Sequence, residues 1–158
     1  MDYIPNRFDG TFGQAVNLGN LAPGGTPSGY NVVVGDIDGD GDDDIVCGEG
    51  GTGNYDLLAY FNTGTGPTFG PATVVGTRTQ DTYVFGAALE DFDNDGDLDL
   101  IMGANTAIMD IFENDGTGSF TAVGTLDTTP LGGGSARAAD AGDVNNDGYM
   151  DFMITTSG

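Results

Sequence analysis

The sequence has no lysine, no histidine and no tryptophan, and its only basic residues are Arg7, Arg78 and Arg137. Against these three cations stand 25 acidic residues, which give a formal net charge of -22 at pH 7. A nucleic-acid-binding surface needs clustered lysine and arginine to neutralise phosphates, so the composition argues against a nucleic-acid partner. The same excess of negative charge disfavours binding to an anionic membrane surface.

Cysteine and long apolar runs are also scarce. The single Cys47 excludes an intrachain disulfide framework, and its apolar neighbours Ile45 and Val46 predict a buried small side chain. No run approaches the roughly 18 apolar residues of a membrane span, so no membrane insertion is expected. Residues 1–7 have neither the basic nor the apolar region of a signal peptide, so no such peptide is visible.

Three acidic segments align without gaps and define an internal repeat. They begin at Asp36, Asp91 and Asp143, and each follows the pattern D-x-[DN]-x-D-G-x-x-D. An apolar run lies on either side of each segment, which predicts a hairpin of two short strands around a tight loop. A second, glycine-rich signature begins at Asn62 and at Asn114, and it predicts a second hairpin in each repeat.

One repeat therefore contains four strands, A to D, in about 50 residues, which is the size of a propeller blade. The segment from Asn6 to Phe12 is similar to the second hairpin, so the predicted chain opens with strands C and D and ends with strands A and B. The predicted fold is an all-β propeller of four-stranded antiparallel blades, with three blade equivalents per chain. Its predicted parts are residues 1–20 (strands C and D), 30–76 (blade 1), 84–126 (blade 2) and 136–158 (strands A and B).

The acidic segments have the chemistry of calcium-binding loops. Calcium takes six to eight oxygen ligands at about 2.3–2.6 Å, and alternate side chains of a tight loop can converge on one point. We predict side-chain oxygens from positions 1, 3, 5 and 9 of each loop, a backbone carbonyl from position 7, and a turn permitted by the glycine at position 6. The predicted ligands of three calcium ions per chain are Asp36, Asp38, Asp40, Asp42, Asp44, Asp91, Asp93, Asp95, Asp97, Asp99, Asp143, Asn145, Asp147, Tyr149 and Asp151.

Two other interpretations of these loops agree less well with the sequence. An acidic surface turn that binds nothing is one, since Asp, Asn and Gly all favour turns. Without a cation, however, several carboxylates would lie within a few ångströms, each pair repelling by roughly 1–4 kcal/mol. An EF-hand is the other, but it needs an acidic residue at position 12, where this chain has Cys47, Met102 and Ile154. Three similar copies favour calcium binding.

These repeats resemble the FG-GAP/VCBS repeats of integrin α-subunit propellers and of many bacterial secreted and surface proteins. The resemblance covers nearly the whole chain, and its most specific element is the acidic loop of the A–B hairpin followed by the glycine-rich turn. It implies structural calcium ions on the lower face, a ligand face made by the D–A and B–C loops, and an extracellular or cell-surface binding or adhesion module. Two features depart from the family: Asn145 replaces an aspartate, and integrin propellers have seven blades in one chain.

Three residues occupy the same position before an acidic loop and are the candidates for a protein or glycan ligand: Tyr30, Phe85 and Arg137. Alternatively, they only cover the ends of strand A. Catalysis on an anionic polysaccharide calls for lysine, arginine or histidine near the reaction centre, so we expect no enzymatic activity. A purely structural assembly component and a calcium-dependent hydrolase or lyase acting on a polysaccharide are the alternative functions.

Three blade equivalents do not make a closed ring, since propellers have four to eight blades. The N-terminal strands C and D complement the C-terminal strands A and B. The sequence therefore predicts a head-to-tail homodimer that closes a ring of six blades. A piece of a longer propeller is the alternative.

Overall fold

A computed structural model describes residues 2–17, 31–48, 56–64, 68–77, 84–104, 106–132 and 134–157. Within these residues the chain is all-β, apart from one 3-10 turn at Thr129–Leu131. The strands are β1 (Asp2–Tyr3), β2 (Val16–Asn17), β3 (Val32–Gly35), β4 (Asp44–Gly48), β5 (Asp56–Tyr60), β6 (Thr73–Thr77), β7 (Val84–Glu90), β8 (Asp99–Ala104), β9 (Ile108–Asn114), β10 (Phe120–Asp127), β11 (Ala136–Gly142) and β12 (Asp151–Thr156). No helix in the described part of the chain is long and apolar enough to span a membrane.

In the described residues the strands form four antiparallel sheets. Two of them have four strands in chain order, β3-β4-β5-β6 and β7-β8-β9-β10, and are called blade 1 and blade 2 here. The other two have two strands each: β1 and β2 form the N-terminal half-blade, and β11 and β12 form the C-terminal half-blade. The prediction of an all-β fold with four-stranded antiparallel sheets is confirmed. The residue bounds of the four predicted parts stay a prediction.

The strand register places the three acidic loops at equivalent points. Gly35 pairs with Asp44 in blade 1, and Glu90 pairs with Asp99 in blade 2. In the C-terminal half-blade the corresponding pair is Gly142 and Asp151. Each loop therefore leaves the end of its sheet's first strand and returns at the start of the second, as the hairpin pattern predicts.

The sheets pack face to face because the apolar side chains of each strand alternate between its two faces. Val46 of β4 points into the core between blades 1 and 2, while its neighbours Ile45 and Cys47 pack on the opposite face of blade 1. Cys47 is buried, as its apolar run predicts. The main core lies between the blades and consists of Ile37, Val46, Leu57, Ala59, Val75, Ala87, Leu100, Met102, Phe112 and Phe120.

The half-blades lie at opposite ends of this stack of sheets. β11 packs against β7 and β8, and Phe152 and Ile154 of β12 join Ile101 of blade 2 in a second apolar cluster. At the other end, Tyr3 of the N-terminal half-blade lines a cavity of about 400 Å³ together with Ile45 of blade 1. The order along the stack is therefore N-terminal half-blade, blade 1, blade 2 and C-terminal half-blade.

Candidate metal centres in the acidic loops

In all three acidic loops (residues 36–44, 91–99 and 143–151), backbone N–H groups donate hydrogen bonds to side-chain oxygens of the same loop. The aspartate at position 1 accepts hydrogen bonds from the backbone N–H groups of positions 5 and 6 at 2.9–3.1 Å in every loop. The side-chain oxygen at position 3 accepts one from position 5 at 2.8–3.3 Å, and that at position 5 accepts one from position 7 at 2.9–3.0 Å. The oxygens of positions 1, 3 and 5 are therefore turned inward in each copy.

Two positions of each loop require a left-handed backbone. The glycine at position 6 has φ of +94°, +101° and +89° in the three loops, which explains why this residue recurs. Position 4 is also left-handed: Gly39, Asn94 and Asn146 have φ of +74°, +65° and +61°. Asparagine tolerates this region better than other residues with a Cβ. The left-handed conformation at position 4 was not predicted from the sequence, although the occurrence of only Gly and Asn at this position in the three loops indicated it.

In the two full blades, the aspartate at position 9 ties three chain segments together. Asp44 and Asp99 are 0% and 3% exposed. One oxygen of each accepts a hydrogen bond from the backbone N–H at position 2 of its own loop, at 3.2 Å in both blades. The other oxygen accepts one from the backbone N–H of Asn62 at 2.8 Å or of Asn114 at 3.0 Å, at the end of strand C. These carboxylates therefore join the first three strands of each full blade, which correspond to the predicted strands A, B and C.

Two asparagines that sequence analysis did not assign to the site complete this arrangement. The side-chain Nδ2 of Asn62 donates to the carbonyl oxygen of Asp43 at 3.3 Å, and that of Asn114 donates to the carbonyl oxygen of Leu98 at 3.2 Å. Asn114 also donates to the carbonyl oxygen of Ile37 at 2.9 Å, which links blade 2 to the first loop of blade 1. The signal in the sequence was the asparagine that starts each glycine-rich turn.

One family of known repeats matches this pattern. The FG-GAP-like repeat matches residues 36–102 and again residues 91–154, so each match begins at the first aspartate of an acidic loop. The chain belongs to the FG-GAP-like repeat family. The resemblance identified from the sequence is thus confirmed. No curated protein sequence matches the chain.

Two of the FG-GAP-like loops assemble carboxylates closely enough to hold a cation. Carboxylate oxygens of Asp36, Asp38 and Asp40 all lie within 4.8 Å of one another, and so do those of Asp91, Asp93 and Asp99. A donor set made only of oxygen suits a hard cation, and calcium accepts more protein oxygens than magnesium does. In the third loop Asn145 replaces one carboxylate with an amide, whose oxygen calcium also accepts.

The remaining predicted ligands differ in their exposure. The side chains of Asp95, Asp147 and Tyr149 are exposed, while Asp42 and Asp97 are half-buried. Asp143 and Asp151 are half-buried in the third loop. Their roles as ligands stay predictions, as do the carbonyl contributions of position 7.

Burial makes the closing aspartates of the two full blades, Asp44 and Asp99, unfavourable as isolated anions. Burial raises the pKa of Asp44, the hydrogen bonds from Asn62 and Ile37 oppose that rise, and the charges of Asp38 and Asp40 add to it. The pKa of Asp99 is raised in the same way, by burial first and by its own loop's aspartates as well. A divalent cation would favour the ionised form of these carboxylates.

Two of the three candidate ligand residues lie within the described part of the chain. The guanidinium of Arg137 lies over the ring of Phe85, 4.5 Å from its centroid. Phe85 and Arg137 lie near the starts of β7 and β11, so the pair joins blade 2 to the C-terminal half-blade at the end opposite the acidic loops. Tyr30 lies outside the described residues. The structure thus brings two of the three together.

Proposed function

We propose that this FG-GAP-like chain is an extracellular or cell-surface calcium-binding module of propeller type that binds a protein or a glycan and catalyses no reaction. The observation that carries the calcium assignment is the convergence of three carboxylates within 4.8 Å in two copies of the repeated loop, whose closing aspartates Asp44 and Asp99 are buried. Hard oxygen donors in such numbers match calcium, and three equivalent loops give three ions per chain.

In this proposal the calcium ions are structural. Each closing carboxylate already fixes the end of strand A to the start of strand B, and in the two full blades it also reaches strand C. A bound cation would balance the charge that burial penalises at Asp44 and Asp99. An ion that binds only the folded chain stabilises it by mass action.

Ligand recognition is proposed for the end of the sheets opposite the acidic loops. Arg137 is exposed there and stacks on Phe85, which presents a cation and an aromatic face side by side. Such a pair suits the hydroxyl groups and apolar faces of a sugar or a side chain of a protein ligand. Because the chain carries a net charge of -22, a neutral glycan or a basic protein surface is favoured over an anionic one.

A glycan array probed in calcium and in EGTA tests the binding function. We expect binding to a neutral glycan in calcium, a loss of at least tenfold in Arg137→Ala, and no change in Arg7→Ala, which removes the same charge from the exposed N-terminal half-blade. Equal losses in both variants would contradict the assignment of this face. A folded, calcium-loaded chain that binds no glycan and no basic protein would favour the purely structural alternative.

A further inference from the structure

The glycine-rich turn of blade 2 (residues 114–120, called the bridging turn here) contacts both the first and the second acidic loop. Toward the second loop, the backbone N–H of Asn114 donates to Oδ1 of the closing Asp99 at 3.0 Å. A Cβ built on Gly116 would lie 2.6 Å from a carboxylate oxygen of the same loop. Toward the first loop, Nδ2 of Asn114 donates to the carbonyl oxygen of Ile37 at 2.9 Å. The turn therefore joins the two loops in which three carboxylates converge.

The contact on the first loop is made where it controls the proposed ligands. Ile37 lies between Asp36 and Asp38, whose carboxylates belong to the cluster within 4.8 Å. Its own backbone N–H donates to Oδ2 of the closing Asp44 at 3.2 Å. The bond from Asn114 to the carbonyl of Ile37 thus fixes the backbone that carries two proposed ligands and contacts a third.

A continuous path of three hydrogen bonds connects the two closing aspartates. It runs from Asp44 to Ile37 at 3.2 Å, from Ile37 to Asn114 at 2.9 Å and from Asn114 to Asp99 at 3.0 Å. Ile37 and Asn114 are only 1% and 5% exposed, so water does not compete for these bonds. Hydrogen bonds in such surroundings are stronger than in water and polarise one another. A cation that fixes one closing carboxylate therefore also restricts the backbone of the other loop.

Two effects of opposite sign act between the loops. A first divalent cation lowers the negative charge of the chain from -22 to -20 (-22 + 2), which weakens the attraction for a second cation. Salt screens exposed charges over about 8 Å at 0.15 M, so this term is small at physiological ionic strength. Ordering a shared element favours the second ion, because the loss of conformational entropy has already occurred. Positive coupling should therefore prevail in salt.

We infer that the bridging turn makes calcium binding at the first and second acidic loops cooperative, an inference that rests on the proposed calcium-binding function. Each ion raises the affinity of the other by the same factor, since a coupling free energy is reciprocal, and about fivefold is the lower end of typical couplings. In the described part of the chain no hydrogen bond joins the third loop to the bridging turn. The third loop therefore binds its ion independently.

Nuclear magnetic resonance can follow each loop separately during a calcium titration. The amides of Gly41, Gly96 and Gly148 each donate to the first aspartate of their own loop at 2.9–3.1 Å, so their chemical shifts report on its carboxylate. At about 0.15 M salt, Gly41 and Gly96 should shift together with a Hill coefficient above one, and Gly148 should follow a separate curve. Asn114→Ala should remove this cooperativity. The matched control Asn62→Ala should keep it, because the Asn62 side chain donates to a carbonyl of its own blade.

Disabling one loop measures the coupling without any change in the bridging turn. Asp93→Ala removes an exposed proposed ligand from the second loop and should weaken the calcium affinity reported by Gly41 at least about fivefold. The reciprocal variant Asp38→Ala should weaken the affinity reported by Gly96 by the same factor. Glu113→Gln removes one exposed charge beside the turn and should change neither affinity. In the Asn114→Ala background, Asp93→Ala should no longer affect the first loop.

The possible outcomes separate this inference from the proposed function. Shifts at all three glycines together with a Gly41 affinity that Asp93→Ala leaves unchanged would overturn the inference, although calcium binding would stand. Equal effects of Asp93→Ala and Glu113→Gln would overturn it as well, since the coupling would then be a general effect of charge. No calcium-dependent shift at any of the three glycines would refute the proposed function itself.

Discussion

Replacing Asp44 with alanine measures what a closing carboxylate contributes to the fold. The side chain is fully buried and accepts hydrogen bonds from the backbone N–H groups of Ile37 at 3.2 Å and Asn62 at 2.8 Å. Alanine leaves both donors without an acceptor, and a buried donor without a partner costs about 1–3 kcal/mol. The free energy of unfolding should fall by about 2–6 kcal/mol, which is a large part of the total stability of a domain.

Comparing this loss in calcium and in EGTA separates the contribution of the hydrogen bonds to stability from that of the metal. In EGTA the burial that raises the pKa of Asp44, together with the nearby charges of Asp38 and Asp40, makes its anion costly. Alanine removes that cost, which offsets part of the lost hydrogen bonding. In calcium the same substitution also removes a proposed ligand. The loss should therefore be larger in calcium than in EGTA.

Urea denaturation followed by far-ultraviolet circular dichroism measures both losses. Asp43→Ala is the matched control, because it removes the same charge from an exposed neighbour and keeps the carbonyl oxygen that Asn62 contacts. Its effect should be within about 0.5 kcal/mol of zero. Equal effects of Asp43→Ala and Asp44→Ala, or a loss at Asp44 that calcium does not change, would refute the reasoning.

Three further predictions concern single residues. Asn145→Asp adds a carboxylate to the third loop and should tighten its calcium site, which calorimetry would register as a higher affinity; an unchanged affinity would contradict that role. Asn114→Ala should lower the free energy of unfolding by about 0.5–1.5 kcal/mol more than Asn62→Ala, because the Asn114 side chain also donates a hydrogen bond to the neighbouring blade. Equal losses for the two variants in urea denaturation would argue against this contribution. Gly116→Ala should lower the free energy of unfolding by at least about 1 kcal/mol, because φ is +74° and the new Cβ would lie 2.6 Å from a carboxylate oxygen of the second loop. Gly124→Ala is the control: its Cβ would meet nothing within 4 Å, so it should be nearly neutral in the same assay.

The sequence predicts the sheets and the loops because both depend on short-range patterns. Apolar runs on either side of an acidic segment define a hairpin, and the glycine-rich turn after Asn62 or Asn114 defines the next one. The gap-free repeat then places the closing aspartates, such as Asp44 and Asp99, in the same register in each sheet. These features hold within one blade, so they could be predicted without knowledge of the packing between blades.

Contacts between blades could not be predicted in this way. Asn114 bonds to the carbonyl of Ile37, which is 77 residues away, and no local pattern relates the two. The contact between Arg137 and Phe85 likewise depends on how the C-terminal half-blade packs on blade 2. Sequence analysis placed both residues on one face from their position before an acidic loop, but their stacking required the tertiary structure.

Calcium titration of the demetallated chain by isothermal calorimetry tests the central claim most directly. The account predicts binding of three ions per chain, with the weakest site in the loop that contains Asn145, and an affinity on the order of 10⁻⁴–10⁻³ M would suit an extracellular module. The melting temperature should rise with calcium concentration, because the ion binds only the folded chain. No heat of binding and a melting temperature unchanged between EGTA and calcium would contradict the account.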